Sequence, residues 1–382
     1  MITSINWQDL TPETFLKQYW QKKPLIIKGA FENFVDPIDA NELAGLAMEE
    51  FIESRIVSQK DSNWLVKHGP FEDYSEFGDD KWTLLVQATN HWFDGVDQLT
   101  EPFSFLPNWR IDDVMVSFST PGGGVGPHLD QYDVFIIQGE GKRQWKVGLP
   151  DDSLKTLLPH EDLKQVSDFT PCINVITESG DLLYIPPNHP HDGVAIENSL
   201  NYSVGFQAPN GQELFSAFAD YQLDNQLYEQ RLDDTQRTVT RNPSELHKND
   251  QELLTSLMRT ALDDTSVMQN FFGRYLTSVH HTLNLLVPVE PLSIDMIEDI
   301  LQQGETLNPV LGLKCILVNN KDFSSLYING EQFPLSPETL ELAELLASKA
   351  ELTITNLKSS FQCLKNNQLL TTVINKGLWC FE

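Results

Sequence analysis

Basic residues are scarce in this chain: 26 Lys and Arg stand against 55 Asp and Glu, a formal net charge of −29. A surface that acidic repels phosphate backbones and attracts basic partners at long range, which argues against direct nucleic-acid binding. Cysteine is scarce too. Cys172, Cys315, Cys363 and Cys380 show no C-x-x-C spacing, so neither a thiolate zinc site nor a disulfide frame is expected. No apolar run approaches the roughly 18 residues that a bilayer crossing needs. Met1-Ile2-Thr3-Ser4-Ile5-Asn6-Trp7 has neither a basic leader nor a continuous apolar stretch, and the expectation is a cytoplasmic protein without membrane contact.

What is present is a globular composition, 40% hydrophobic and 21% charged, in 382 residues. That length exceeds one ordinary core, so two or three domains are expected. Thr11-Pro12-Glu13-Thr14 opens a helix, with Thr11 as N-cap and Pro12 in the first position. A strand at Pro24-Leu25-Ile26-Ile27, a helix over 41–51, a hairpin from Arg55-Ile56-Val57 to Trp64-Leu65-Val66 across a polar turn ending at Ser62, and a strand over 82–86 follow. The pattern then becomes all-β. From 113 to 119, Val114, Val116 and Phe118 alternate with Met115, Ser117 and Ser119, so one face is oily and the other carries hydroxyls. Pro121-Gly122-Gly123-Gly124-Val125-Gly126-Pro127 is a loop that lets backbone pass close to another element. Strands over 132–138 and 143–149 around Gly139-Glu140-Gly141, then 182–185 and 201–207, indicate a small barrel or jelly roll.

After Pro209 the chain turns helical over 212–231, 252–262 and 267–280, with a polar linker over 232–249. This segment, 210–287, is expected to form an oligomer interface. Pro288-Val289-Glu290-Pro291 marks a boundary, and 288–382 reads as small helices with a terminal hairpin, a winged-helix-like pattern too acidic for DNA. The fold class is therefore α+β, with a β domain over 1–209, a helical region and a C-terminal winged-helix-like domain.

Chemistry concentrates in Pro127-His128-Leu129-Asp130 and Pro186-Pro187-Asn188-His189-Pro190-His191-Asp192-Gly193. His128 and Asp130, two apart on an expected strand, face the same way, and one distant histidine completes a two-His, one-carboxylate site. Such a site leaves one face open and suits non-haem Fe(II). His189 and His191 compete for the third place. His191 is preferred because it leaves the turn that His189 sits inside. Arg143, next to the glycine turn, can grip a carboxylate in a bidentate manner, with Lys142 as second choice. Ser117, Asn201 and Ser203 are polar candidates for cosubstrate or substrate.

Residues 121–139, Tyr184-Ile185-Pro186-Pro187 through His191, and Asn201-Tyr202-Ser203-Val204-Gly205-Phe206 resemble the bacterial branch of the JmjC ribosomal oxygenases of the cupin superfamily. Within it, the resemblance is closest to members that hydroxylate an arginine of large-subunit ribosomal protein sixteen. It implies a JmjC double-stranded β-helix, a helical dimerisation region making a homodimer, and a C-terminal winged helix. It implies Fe(II) on His128, Asp130 and His191, 2-oxoglutarate on Arg143, and hydroxylation at C3 of an arginine in a basic ribosomal protein; Ser117 and Asn201 remain the polar candidates beside Arg143 for 2-oxoglutarate. The cationic guest needs an acid near the iron; Asp113 is the candidate, with Tyr132 and Ser203 beside it. A histidine or lysine substrate is the alternative within the family, and a non-catalytic cupin scaffold the alternative outside it.

Overall fold

The computed structural model describes residues 4–61, 63–320 and 323–381. Met1, Ile2 and Thr3 of the chain start and Ser62 of the first hairpin turn lie outside the described residues. Helix α1 (Pro12–Gln18) forms where Thr11 Oγ1 accepts the Thr14 amide at 3.2 Å. Its Phe15 is buried edge-on against Tyr184, 4.9 Å between ring centroids. Helix α2 (Ala40–Leu46) starts on an Asp39–Glu42 capping box and is shorter than the 41–51 expected, giving way to turns after Leu46. Helix α3 (Asp94–Asp97) is a single turn.

The β domain contains strands β1 (Leu25–Ile27), β2 (Ser54–Lys60), β3 (Asn63–His68), β4 (Trp82–Val86), β5 (Ile111–Ser119), β6 (Asp133–Gln138), β7 (Arg143–Gly148), β8 (Thr156–His160), β9 (Leu163–Val166), β10 (Pro171–Thr177), β11 (Leu182–Ile185), β12 (His191–Ala195) and β13 (Ser199–Phe206). Among the described residues they form an antiparallel sheet ordered β1-β11-β6-β13-β5-β4-β2-β3, a three-stranded sheet ordered β10-β7-β12 and the separate pair β8-β9. Val134, Ile136, Leu183 and Ile185 of the first sheet pack on Trp145 and Val147 of the second. The opposite face of the large sheet carries the main core, including Phe15, Phe103, Val114, Val116, Phe135 and Phe206. Each fully buried side chain of this size contributes about 1.5–3 kcal/mol relative to exposure. The alternation in β5 divides as expected: Val114 and Val116 enter that core, while Met115 and Ser117 face the space between the sheets.

Helices α4 (Gly211–Asp224), α5 (Lys248–Asp263) and α6 (Thr265–Thr277) follow; α4 stops at Asp224, short of the expected 231. The C-terminal unit holds α7 (Ile294–Gln302), β14 (Leu307–Pro309), β15 (Cys315–Asn319), β16 (Ser324–Ile328), β17 (Glu331–Pro334), α8 (Leu340–Ala347), α9 (Ile354–Leu357), α10 (Leu364–Asn375) and β18 (Trp379–Phe381) around fully buried Trp379. Helix α6 packs on its three-stranded sheet, with Gly273 against the Tyr327 ring and Asn270 accepting the Tyr327 hydroxyl. Residues on both sides of Pro288–Pro291 thus touch one another, and Gly273 is what admits the helix to the sheet.

The β domain and the C-terminal unit meet through residues 278–284. Lys314 is buried and its ammonium lies 3.4 Å from Asp112 Oδ1, while His280 Nδ1 lies 3.1 Å from the same oxygen. The His91 ring, hydrogen-bonded to the Thr282 carbonyl at 3.1 Å, covers Gly312. A Cβ at Gly312 would fall 2.0 Å from that ring, and its φ of +74° is left-handed, so glycine is required twice over. No described helix is long and apolar enough to cross a membrane.

Candidate metal centre

His128 lies in the loop after the glycine run and not on a regular strand, a correction to the strand placement above. One isolated bridge fixes it: His128 N donates to His191 O at 2.9 Å, and His191 N returns the bond to His128 O at 3.0 Å. Residues directly opposed in an antiparallel pair present their side chains to the same face. Asp130, two residues on, is pinned by its carbonyl, which accepts the Asn188 amide at 2.8 Å. Asn188 takes φ +60° in the turn, a conformation Asn tolerates better than most residues.

The result is one cluster. The ligand atoms of His128, Asp130 and His191 all lie within 4.8 Å of one another. His191 Nε2 is 3.4 Å from Asp130 Oδ2 and His128 Nε2 is 4.0 Å from Asp130 Oδ1. Each imidazole turns its Nδ1 to a backbone carbonyl, Gly126 for His128 and His189 for His191, both at 2.9 Å. That arrangement holds the Nε2–unprotonated tautomer, the form that binds metal. His189 bonds the Pro187 carbonyl and stays outside the cluster.

Burial first, and then the charge of His191, pushes His128 down to about 4. Burial alone would lower His191, but the hydrogen bond and charge of Asp130 outweigh it and raise the group. For Asp130, burial opposes ionisation, yet His191, His128 and Arg55 bring it down to about 2. In the metal-free protein the His191–Asp130 attraction is thus present at low pH and lost as pH rises through the elevated His191 value. Metal binding has the opposite sign, because the ion must displace that proton. Co(II) affinity measured by calorimetry is expected to weaken on acidification starting above pH 6.5, the ordinary histidine value, and then to fall about tenfold per pH unit.

A cavity of about 300 Å³ opens beside the cluster, lined among others by Arg55, Asp113, Ser117, Tyr132, Arg143 and Ser203. Arg143 stands four register positions from His191 along the β7–β12 pair, with Ala195 opposite it. Four residues of strand separate them, roughly 13 Å at the Cα atoms. Arg143 is buried, and burial lowers it to about 10, so it remains a cation at neutral pH. Its Nη2 donates to Ser119 Oγ, its Nε has no partner, and no carboxylate pairs with it among the described residues. Lys142 points the other way and pairs with Glu178 at 2.6 Å.

Asp113 Oδ2 accepts the Ala88 amide at 2.8 Å, and burial raises this carboxyl. Gly205 leaves room beside it: a Cβ there would sit 3.4 Å from Asp113 Oδ1 and 3.9 Å from the Tyr132 ring. Ser203 occupies the neighbouring row, opposite Met115. Asn201 shares a row with Ser117 and Gln138, but its amide donates to Gln138 Oε1 at 3.1 Å and it does not line the cavity. Ser119, the partner of Arg143, and Arg55, which faces the cluster, were not among the candidates. Ser119 lay on the hydroxyl face of β5 and was findable there; nothing local marks Arg55.

Residues 98–214 match the JmjC domain family and residues 260–380 the ROXA-like winged helix. The chain is 44% identical over 379 residues to ribosomal protein uL16 3-hydroxylase of Escherichia coli K12, covering 99% of this chain and 98% of that protein. The chain belongs to the JmjC-domain ribosomal oxygenases. A solved structure of the ribosomal oxygenase YcfD from E. coli, in complex with cobalt and 2-oxoglutarate, superposes with a TM-score of 0.90 at 42% identity over 99% of both chains. Another, with cobalt and succinic acid, gives 0.89 at 41% over 99% of both. Oxygenases of this family use Fe(II) and 2-oxoglutarate. The residues present here fit both: two imidazole nitrogens and a carboxylate converge on one point, and a buried guanidinium with no carboxylate partner among the described residues lines the same cavity.

Proposed function

We propose that this ribosomal oxygenase hydroxylates C3 of an arginine in a basic large-subunit ribosomal protein, with Fe(II) and 2-oxoglutarate. His128, Asp130 and His191 would hold the metal, and Arg143 with Ser119 and Ser117 would hold the distal carboxylate of 2-oxoglutarate. Bound Fe(II) supplies oxidation by dioxygen: one oxygen atom enters the C–H bond as hydroxyl and the other enters succinate as carbon dioxide leaves. The chain's own work is positioning, since a displacement of about 1 Å costs on the order of 100-fold in rate.

The arginine assignment rests on Asp113, a buried carboxylate with one oxygen toward the cavity beside Gly205. A guanidinium entering there finds a charge-assisted partner, with Tyr132 and Ser203 flanking it. A neutral imidazole substrate could offer that oxygen one N–H but no charge and no second donor, which favours arginine over histidine. The net charge of −29 suits a basic ribosomal partner in the cytoplasm. The exposed Leu253, Leu254, Met258 and Leu262 of α5 suit a homodimer interface in a helical region near 210–287, between a catalytic domain near 1–209 and a winged-helix domain near 288–382. The test is mass spectrometry of uL16 incubated with the protein, Fe(II) and 2-oxoglutarate. A gain of one oxygen on an arginine is expected. Asp113→Asn should cut kcat/KM by about 100-fold, the roughly 3 kcal/mol lost when a buried charged partner is removed. Full activity in that variant would remove the arginine assignment.

A further inference from the structure

We infer that His281 is a positioning residue for Asp113, and that the junction leading into the C-terminal unit thereby forms part of the substrate site. The inference rests on the reading of Asp113 as the group that receives the substrate guanidinium.

Consecutive aspartates at the start of β5 project to opposite faces, and consecutive histidines from the junction meet them. Asp112 faces His280 and the buried Lys314. Burial pushes Asp112 up, but His280 and Lys314 outweigh it and hold it near 2, so this pair is an ionic anchor between the two units. Asp113 faces the cavity, and His281 Nε2 lies 3.7 Å from its Oδ2. The other nitrogen of His281, Nδ1, lies 3.4 Å from Glu53 Oε2. His281 is thus held between two carboxylates, one at the cavity and one at the surface. His281 does not line the cavity.

The two oxygens of Asp113 have separate tasks. Oδ2 accepts the Ala88 amide at 2.8 Å and lies 3.7 Å from His281 Nε2, an ion-pair distance and not a hydrogen bond. Oδ1 is the one beside Gly205 and Tyr132, where a guest is received. Fixing Oδ2 fixes the plane of the carboxylate, and a bidentate or fork-like guanidinium contact depends on that plane. His281 reaches Asp113 from outside the β domain, held in place because His280 beside it is tied to Asp112 and Thr282 to His91.

The test is steady-state kinetics of the full chain with uL16 as substrate, reading KM and kcat separately along with 2-oxoglutarate turnover in the absence of uL16. His281→Leu is expected to raise KM for uL16 about tenfold, the scale of losing an outer partner that orients a contact residue. Turnover of 2-oxoglutarate without uL16 stays unchanged, because the metal cluster and Arg143 are untouched. His281→Gln, which keeps a donor toward Asp113, recovers most of the loss. In an Asp113→Asn background, His281→Leu changes KM no further. If Asp113→Asn raises KM while His281→Leu does not, or if the two effects add, the positioning role is wrong and the arginine reading stands. If Asp113→Asn leaves kcat/KM unchanged, the arginine reading falls and this inference with it. Equal loss of uncoupled turnover in His281→Leu and His281→Gln would mark a purely structural histidine and overturn the proposal.

Discussion

His191→Ala is expected to abolish hydroxylation of uL16, with kcat/KM down by more than about 100-fold, the upper end of what losing only an outer partner of a metal ligand costs. The ring is buried, its Nε2 faces only Asp130 and the open cluster, and its removal leaves two ligands where three converge. The fold should survive, because the bond pair tying His128 to position 191 is made entirely by main chain. His189→Ala is the informative control. That imidazole is two residues away and also buried, yet it lies outside the cluster and bonds the Pro187 carbonyl. It should retain most of its activity and its Co(II) affinity. Calorimetry with Co(II), circular dichroism and mass spectrometry of uL16 separate the cases; loss in His189→Ala with retention in His191→Ala would assign the ligand to the wrong histidine.

What could be read from the sequence was local chemistry, and what could not was anything assembled across the chain. The His128-x-Asp130 spacing, the hydroxyl face of β5 and the capping at Thr11 all express themselves within a few residues. The strands between 156 and 177 were silent. Strand β8 is largely exposed, and β10 turns Ile176 to solvent while Ile173 and Val175 point inward, so its hydrophobic run hides its period of two. Strand β12 carries Gly193 because a Cβ there would meet the Trp145 ring at 2.6 Å. A glycine after prolines reads as a turn, and the packing that demands it is invisible locally. His281 lies 168 positions from Asp113, in a different unit, and only the docking of α6 and β15 brings them together. The bridge at His128 carries the same lesson: its same-face geometry came from one pair of main-chain bonds to His191, not from a regular strand.

Arg143→Met should separate stability from function in a direction opposite to most active-site substitutions. Methionine fills a similar slot between the sheets but carries no charge. The guanidinium it replaces is buried, with Ser119 Oγ its one hydrogen-bond partner among the described residues and Nε unsatisfied there. An isolated buried charge is costly, and exchange for an apolar side chain of similar volume is often neutral or stabilising. The Nη2 bond to Ser119 Oγ and the Trp145 ring, whose centroid is 5.8 Å from the guanidinium carbon, offset only part of that cost. The protein without 2-oxoglutarate is therefore expected to melt no lower in Arg143→Met, and to gain about 1 kcal/mol in denaturant unfolding. The cosubstrate reverses the order. Its distal carboxylate supplies the missing counter-ion, so 2-oxoglutarate with Co(II) should raise the melting temperature of the parent strongly and of Arg143→Met hardly at all. Affinity for 2-oxoglutarate should drop by about 100-fold, roughly 3 kcal/mol. The charge on Arg143 persists to about pH 10, so the parent's stabilisation by 2-oxoglutarate should be flat across neutral pH except where the metal is lost at the acid end. A variant that melts lower and still binds 2-oxoglutarate would mean that Arg143 is an ordinary structural cation and that the diacid is held elsewhere in the cavity.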